Sequence, residues 1–339
     1  MTAYIIKRIF FAAVTLLVIL FVSYLLLRLA PGDPTKSNIL GSDIGATQLS
    51  ADNSGFGMNQ AMREKLYLDK PVYYGFAMWL TNAIRGDFGT SAAVEPGRPV
   101  TDIILERLPV TLKLNFFAII VTYILAVPLG VFSAVKPNSV FDKTAATVTF
   151  LLYSMPVIWV GLLLQSLLCR GGVWPLFPVK GLTPPTSYGT GWGQMFFTTA
   201  QYYFLPVLCL SYAGFAGISR YTRASMIEVM QQDYITTAKA KGAAATSIIW
   251  HHAFRNGLIT LITLFSGLLP GLVAGSIIVE QIFAIPGMGS LSIISLSSRD
   301  YPLQMALFAF TGVLTLAGIF LADILYTAAD PRISFDRRK

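Results

Sequence analysis

The chain has 339 residues, of which 54% are hydrophobic and only 12% are charged. Soluble domains carry about 25% charged residues, so this composition excludes an ordinary soluble protein and predicts a membrane protein with several spans. The formal net charge of +8 does not indicate nucleic-acid binding, because the basic residues cluster beside apolar segments rather than on one soluble face. The two cysteines, Cys169 and Cys209, lie in apolar segments and form neither a disulfide framework nor a metal-binding pattern.

Six apolar segments are long enough to cross a membrane, since a span needs about 20 mainly apolar residues. The first segment follows Lys7 and Arg8 and is too long for a typical signal peptide, so we predict that it is a retained span. The fourth segment is the weakest candidate because Pro206 lies inside it. The predicted spans are 9–29, 111–135, 145–169, 202–219, 258–283 and 303–327.

The distribution of Lys and Arg in the short loops predicts the orientation of the chain, because short cytoplasmic loops carry an excess of these residues. With the N-terminus inside, the inner segments hold most of the basic residues. The two short outer loops then hold only Arg170, Lys180 and Arg299. The sequence therefore predicts that both termini are cytoplasmic.

The long predicted outer loop, 30–110, contains two amphipathic stretches. In the first, apolar residues recur at helical spacing and predict a surface helix: Tyr73, Phe76, Ala77 and Leu80. The second stretch, 99–114, is interrupted by Pro109, and we predict that it lies along the membrane surface ahead of the second span.

A polar and basic stretch, Asp233–Asn256, separates the fourth and fifth predicted spans. Residues 236–241 favour a short helix, because alanine is a strong helix former and lysine is stabilised near a helix C-terminus. Gly242 follows at the position of a C-terminal cap, and a second helical run begins at Ser247. The pattern predicts a compact unit of two helices and a glycine turn on the inner membrane face, suited to docking into a partner.

Four charged or polar residues near the predicted spans are candidates for binding roles. Arg220 and Arg223 lie one helical turn apart, and we predict that they anchor to phosphate headgroups or to an acidic partner surface. Glu280 and Gln281 lie at the outer end of the fifth span. Ionisable groups within spans are candidates for lining or gating a substrate path, and the alternative is a hydrated position at the interface.

No sequence pattern predicts chemistry in the chain itself. A phosphate-binding GxxxxGK[ST] loop does not occur, so we do not expect the chain to hydrolyse ATP. His251 and His252 are adjacent, so they point to different faces of a helix and make a poor metal pair. We therefore predict no metal ligands and no catalytic residues.

Several motifs resemble those of the oligopeptide and dipeptide permease family of ABC importers. The family's cytoplasmic coupling loop is matched by Asp233-Tyr234, Thr237–Gly242 and His252–Asn256. The match departs from the pattern at Thr260, where a proline is common. Other motifs follow the family order along most of the chain: RLAPGDP at 28–34, LDKP at 68–71, GDFGTS at 86–91, RLPVTLKL at 107–114, PGMG at 286–289, RDYPL at 299–303 and ADILY at 322–326.

The resemblance implies an all-α polytopic membrane protein with six transmembrane helices, the type I ABC importer permease fold, and a large extracytoplasmic loop after the first span. It divides the chain into four parts: the N-terminus and first span at 1–29, the extracytoplasmic loop at 30–110, a five-span core at 111–327 with the coupling loop at 220–257, and a cytoplasmic tail at 328–339.

The resemblance also implies a function, that of the first of two permease subunits in an importer of di- or oligopeptides in the bacterial inner membrane. The implied partners are a second homologous permease, two ATP-binding subunits that bind ATP and Mg²⁺, an external solute-binding protein and membrane lipid. An ion-coupled secondary transporter and a structural membrane scaffold are the alternatives. The residues implied to couple to the ATPase are Asp233, Thr237, Ala238, Lys239, Lys241 and Gly242.

Overall fold

The computed structural model describes residues 2–29, 63–64, 67, 69–179, 181–182, 192–268 and 271–329. Within these ranges strand pairing is confined to two isolated bridges. The other elements are α1 (Thr2–Leu29), α2 (Val72–Ile84), α3 (Val100–Val135), α4 (Val140–Ser154), α5 (Val157–Leu168), α6 (Trp192–Met230), α7 (Asp233–Ala240), α8 (Ala245–Ser247), a π-helical segment (Ile248–Phe254), α9 (Arg255–Leu268), α10 (Gly271–Ala274), α11 (Ile277–Ile282), α12 (Met288–Ser297) and α13 (Tyr301–Ala329).

The chain divides into two compact units. Unit 1 comprises residues 1–109 and 291–316, and unit 2 comprises residues 110–290 and 317–339. Part of the predicted outer loop, 30–62, and the tail from residue 330 onwards lie outside the described residues.

Three of the described helices have a stretch long and apolar enough to cross a membrane: Ile6–Leu29, Val100–Val135 and Tyr301–Leu321. Two further pairs qualify if each bent pair is one span: α4 with α5, bent by 95°, and the two halves of α6, bent by 49°. The described residues therefore contain three to five candidate spans, and the predicted count of six is not reproduced. The predicted fifth span, 258–283, is divided among α9, α10 and α11.

The bend between α4 and α5 follows from one proline. Met155 precedes Pro156 and adopts an extended backbone with φ −82° and ψ 127°. A residue before proline is pushed out of the helical region by the proline ring, so α4 has to end there. The third span predicted at 145–169 therefore corresponds to a bent pair of helices.

Helix α3 runs without a break through Pro109 and Pro128. The interruption predicted at Pro109 is therefore wrong, whereas the location of 99–114 along the membrane surface stays a prediction. A proline removes one backbone donor, but neighbouring helices and hydroxyl side chains in a membrane protein can satisfy the carbonyl that is freed. At 1.5 Å per residue, the 36 residues of α3 span roughly 54 Å, which exceeds the ~30 Å hydrocarbon core of a bilayer.

In unit 1, α2 packs against α1 through aromatic rings. Phe76 lies 5.2 Å from Phe21 and 5.8 Å from Tyr24 between ring centroids. The Arg28 guanidinium, near the end of α1, donates hydrogen bonds to the carbonyl oxygens of Tyr67 at 2.9 Å and Lys70 at 2.6 Å. The helix predicted here is confirmed. Phe76 and Leu80 of the predicted apolar face belong to this cluster, whereas Tyr73 and Ala77 are exposed.

Asp300 in unit 1 is a fully buried carboxylate that holds two segments together. Its Oδ2 accepts the hydroxyl of Ser91 and the backbone N–H groups of Ala92, Ala93 and Val94, the last three at 3.0, 3.0 and 3.1 Å. Its Oδ1 accepts the N–H of Leu303 at 3.2 Å, in the first turn of α13. These donors replace the hydration shell of the carboxylate, so Asp300 is a structural anchor.

We expect Asp300→Asn to destabilise unit 1 by roughly 3 kcal/mol, because an amide –NH₂ group would face buried N–H donors that now have an acceptor. The midpoint of thermal unfolding of the purified protein measures this change. Asp87→Asn is the matched control, since that carboxylate is exposed and accepts the nearby Gly89 N–H. A wild-type midpoint for Asp300→Asn would contradict the anchoring role.

In unit 2, α3 and α6 cross in backbone contact. A Cβ atom at Gly130 would lie 2.6 Å from the carbonyl oxygen of Ser219 and 2.6 Å from Cβ of Thr222. Small residues at such a crossing allow close packing of membrane helices. The cross-over fixes the ends of α3 and α6 that carry the site described next.

Candidate docking site

Two residues separate the end of α6 at Met230 from the start of helix α7, Asp233–Ala240. Its C-terminal turn is built by Gly242, which has φ +78°, in the left-handed region that glycine adopts readily. The Gly242 N–H donates to the carbonyl of Lys239 at 3.0 Å, and the Ala243 N–H donates to that of Ala238 at 3.2 Å. These two bonds form a Schellman motif, so the chain leaves α7 in a defined direction.

One side of α7 is fixed to the rest of unit 2. Ile235 is 0% exposed and belongs to a hydrophobic cluster with buried residues of α3, α6 and the π-helical segment. Those residues are Val131, Ala134, Met226, Ile248 and Ala253, with Ala238 and Ala243 partly buried against them. Burial of an isoleucine side chain contributes about 1.5–3 kcal/mol, so Ile235 attaches this short helix firmly.

The other side of α7 is exposed and polar. Six residues are implied to couple to a partner. Ala238 is half-buried, and the other five are exposed: Asp233, Thr237, Lys239, Lys241 and Gly242. The hydroxyl of Thr237 is engaged locally and donates to the Asp233 carbonyl at 3.0 Å. The structure thus brings the predicted residues together on one short helix and its cap, and their docking role stays a prediction.

The second helical run of the predicted unit differs from a regular helix. Residues Ile248–Phe254 form a π-helical segment. Such segments are rare in proteins, and those that occur often lie at functional sites. The Trp250 ring lies 5.2 Å from Phe254 and 6.5 Å from Phe132 between centroids. His251 and His252 are both exposed. Because they are adjacent in a helical segment, their side chains do not share a face. No signal in the sequence distinguishes this segment from an α-helix.

Arg223 and Arg220 have different surroundings. Arg223 forms a two-point ion pair with Asp142 of α4, with Nε–Oδ1 and Nη2–Oδ2 distances of 2.6 Å each. The guanidinium of Arg223 is thus engaged inside unit 2, and its predicted anchoring to headgroups or to a partner stays a prediction. Arg220 is exposed, and its anchoring role stays a prediction. Sequence reasoning missed Asp142 because 81 residues separate the pair.

The Glu280 side chain is enclosed by backbone atoms and by glycine residues. The side chain is 0% exposed. Its Oε1 accepts the Thr111 hydroxyl at 3.2 Å, and its Oε2 accepts the Ser290 N–H at 2.7 Å. A Cβ atom at Gly287 would lie 2.6 Å from the Glu280 carboxyl, so this position requires glycine. Gln281 is exposed, and the predicted pathway or gate role of both residues stays a prediction.

The long apolar helices define the class as a helical membrane protein with several candidate spans, and α7 is a short, partly exposed helix attached to them. Family models match at residues 126–335, for the "binding-protein-dependent transport system inner membrane component", and at residues 1–115, for the N-terminal part of such a membrane component. The chain therefore belongs to the family of binding-protein-dependent transport system inner membrane components. It is the permease subunit of an ABC transporter and a multi-pass membrane protein.

Relatives and solved structures agree with this assignment. The chain is 38% identical to the oligopeptide transport system permease protein AppB of Bacillus subtilis (strain 168), over 99% of this chain and 100% of that protein. It is 34% identical to the dipeptide transport system permease protein DppB of the same organism, over the full length of both. An inward-facing structure of the MetNI methionine ABC transporter has a chain that matches with a TM-score of 0.53 and 15% identity, over 67% of this chain and 96% of that chain.

These findings confirm the resemblance to the oligopeptide and dipeptide permeases and the all-α importer permease fold. The likeness to the methionine transporter concerns the fold alone. The position of α7 within the matched region 126–335 places the candidate docking site in the part of the chain that the family model covers.

Proposed function

We propose that this chain is the membrane-spanning permease of an ATP-driven importer of peptides and that α7 docks into an ATPase subunit. The observation that carries the proposal is the two-sided construction of α7: Ile235 is fully buried in unit 2, while Asp233, Lys239 and Lys241 are exposed. A helix bound firmly to its own chain and presenting charges outwards is suited to transmit a movement of a partner. Peptides are the proposed substrate because the relatives AppB and DppB are oligopeptide and dipeptide permeases.

The proposed assembly contains a second permease, two ATP-binding subunits and an extracytoplasmic solute-binding protein. ATP and Mg²⁺ bind the ATP-binding subunits, and no covalent chemistry takes place in this chain. When ATP draws the two ATPases together, α7 moves with the subunit that holds it. The hydrophobic cluster around Ile235 passes that movement to α3 and α6, and the permeases alternate between outward and inward access.

The proposed orientation places α7 and both termini on the cytoplasmic side of the bacterial inner membrane. The reason is the concentration of basic residues around α7, since short cytoplasmic loops are rich in Lys and Arg. The exposed residues Arg220, Lys239, Lys241 and Arg255 supply this charge.

ATP hydrolysis by the purified assembly in lipid tests the proposal. The chain is tagged, purified with its accompanying subunits and assayed with and without a peptide-loaded binding protein. We expect an ATPase to co-purify and the loaded binding protein to raise its turnover. A chain that purifies alone, folds fully and moves solute down an ion gradient would instead identify an ion-coupled secondary transporter.

A further inference from the structure

We propose that the Asp142–Arg223 ion pair is the link through which a displacement of α7 reaches α4. The inference rests on the proposed docking of α7 and names positioning residues for the transport cycle. Neither residue lies on α7 or its glycine cap, and neither belongs to the sequence motifs that carry the family resemblance.

The geometry of the pair fixes α4 to α6 in both distance and direction. Asp142 is 3% exposed. Its two carboxylate oxygens accept hydrogen bonds from Nε and Nη2 of Arg223, both at 2.6 Å. The planar guanidinium meets the carboxylate at two points, so the contact resists both sliding and rotation. An apolar contact of the same area does not have this directionality.

Asp142 also holds the turn that precedes α4. Its Oδ2 accepts the backbone N–H of Asn138 at 2.8 Å, and its own N–H donates to the hydroxyl of Ser139 at 3.2 Å. Asn138 has φ +62°, the left-handed conformation that asparagine tolerates better than most residues. One carboxylate thus joins the α3–α4 turn, the first turn of α4 and α6.

Two paths lead from α7 to this carboxylate. Along α6, Met226 lies in the cluster with Ile235, and Arg223 is one helical turn earlier. Along α3, Val131 and Ala134 lie in the same cluster, and the α3–α4 turn follows directly. A shift of Ile235 therefore reaches Asp142 from both sides, through buried side chains and continuous helix.

Few other residues of helix α4 are buried. Of its fifteen residues, Asp142 and Thr149 are the buried ones. Much of the rest is exposed and apolar, as at Val140, Phe141, Phe150, Leu151 and Tyr153. The Thr149 hydroxyl donates to the carbonyls of Ala145 and Ala146 within α4 itself. At the C-terminal end of α4, the Tyr212 hydroxyl of α6 donates to the Met155 carbonyl at 2.9 Å. The ion pair is the charged, two-point contact between α6 and the first turn of α4, and through it the start of α4 follows α6.

The test uses the complete transporter in lipid vesicles and measures peptide uptake per ATP hydrolysed. Asp142→Asn removes the charge, Arg223→Lys keeps the charge and removes the two-point contact, and a double variant exchanges the residues as Asp142→Arg with Arg223→Asp. Lys143→Gln is the matched control, because Lys143 is the next residue of α4, is exposed and also changes by one charge. Thermal midpoints and the amount of co-purified ATPase are recorded for every variant.

We expect Asp142→Asn and Arg223→Lys to lower uptake per ATP roughly tenfold, with ATPase turnover within about twofold of wild type. The exchanged pair is expected to recover part of the loss, and Lys143→Gln to match wild type. Unchanged uptake per ATP in both single variants overturns the inference. So does a parallel fall of uptake, ATP turnover and thermal midpoint, which would identify a structural brace. If the wild-type assembly itself shows no ATP-dependent uptake, the proposed function fails and the inference with it.

Discussion

Replacing Gly242 with proline is expected to abolish transport while the protein still inserts into the membrane. Proline fixes φ near −65°, whereas Gly242 has φ +78°. Proline also removes the N–H that donates to the Lys239 carbonyl. The Schellman motif then cannot form, and the chain leaves α7 in another direction. Peptide uptake and ATPase co-purification measure the effect.

The control for this variant is Gly242→Asn at the same position. A Cβ atom at Gly242 meets nothing within 4 Å, so space does not restrict a side chain there. The left-handed conformation costs a typical residue roughly 1–2 kcal/mol, and asparagine adopts it more readily than most. We expect Gly242→Asn to retain transport and Gly242→Glu to lose it, because glutamate adds both strain and a negative charge at the exposed cap. Wild-type uptake by Gly242→Pro would refute the coupling role of the turn.

Placing a charge at Ile235 is expected to detach α7 and to stop ATP-driven uptake. Ile235 is fully buried among apolar side chains, and an aspartate there has no cationic partner in the described cluster. Ile235→Ala removes the same packing without a charge and is expected to destabilise the attachment by about 2–5 kcal/mol. Ile235→Leu conserves volume and is expected to lie within about 1.5 kcal/mol of wild type.

The amount of ATPase that co-purifies with each Ile235 variant separates attachment of α7 from general folding. We expect Ile235→Asp to lose the ATPase and uptake together, while its level in the membrane stays close to wild type. Full ATPase recovery and full uptake with Ile235→Asp would show that the buried side of α7 has no part in coupling.

The elements predicted correctly depend on local chemistry. The short helix and its glycine cap follow from alanine, lysine and Gly242 at their spacing, and α2 follows from the periodicity of its apolar residues. The polar candidates around α7 were recognisable for the same reason. The sequence does not indicate that Ile235 attaches α7, because one isoleucine in a polar stretch has no periodic partners and its cluster is contributed by three other elements.

The features that were missed depend on contacts distant in sequence or on the membrane setting. The sequence separation is 81 residues between Asp142 and Arg223, and 209 residues between Ser91 and Asp300. No sequence pattern links the members of either pair. The sequence predicts a break at Pro109, because proline breaks helices in water. The bend before Pro156, by contrast, follows from a local rule, because the residue before a proline is disfavoured in the helical region. The apolar run continues across Pro156 and predicts one span there.

The π-helical segment affects how the faces of α9 are assigned. A π-helical turn closes hydrogen bonds from residue i to i+5, so it accommodates one residue more than the corresponding α-helical turn. Each residue of an α-helix advances the side-chain direction by about 100°. A helical wheel that treats the whole stretch from Ser247 through α9 as α-helix therefore assigns the later residues to the wrong face. The faces of α9 should therefore be phased from Arg255, where α-helical winding resumes.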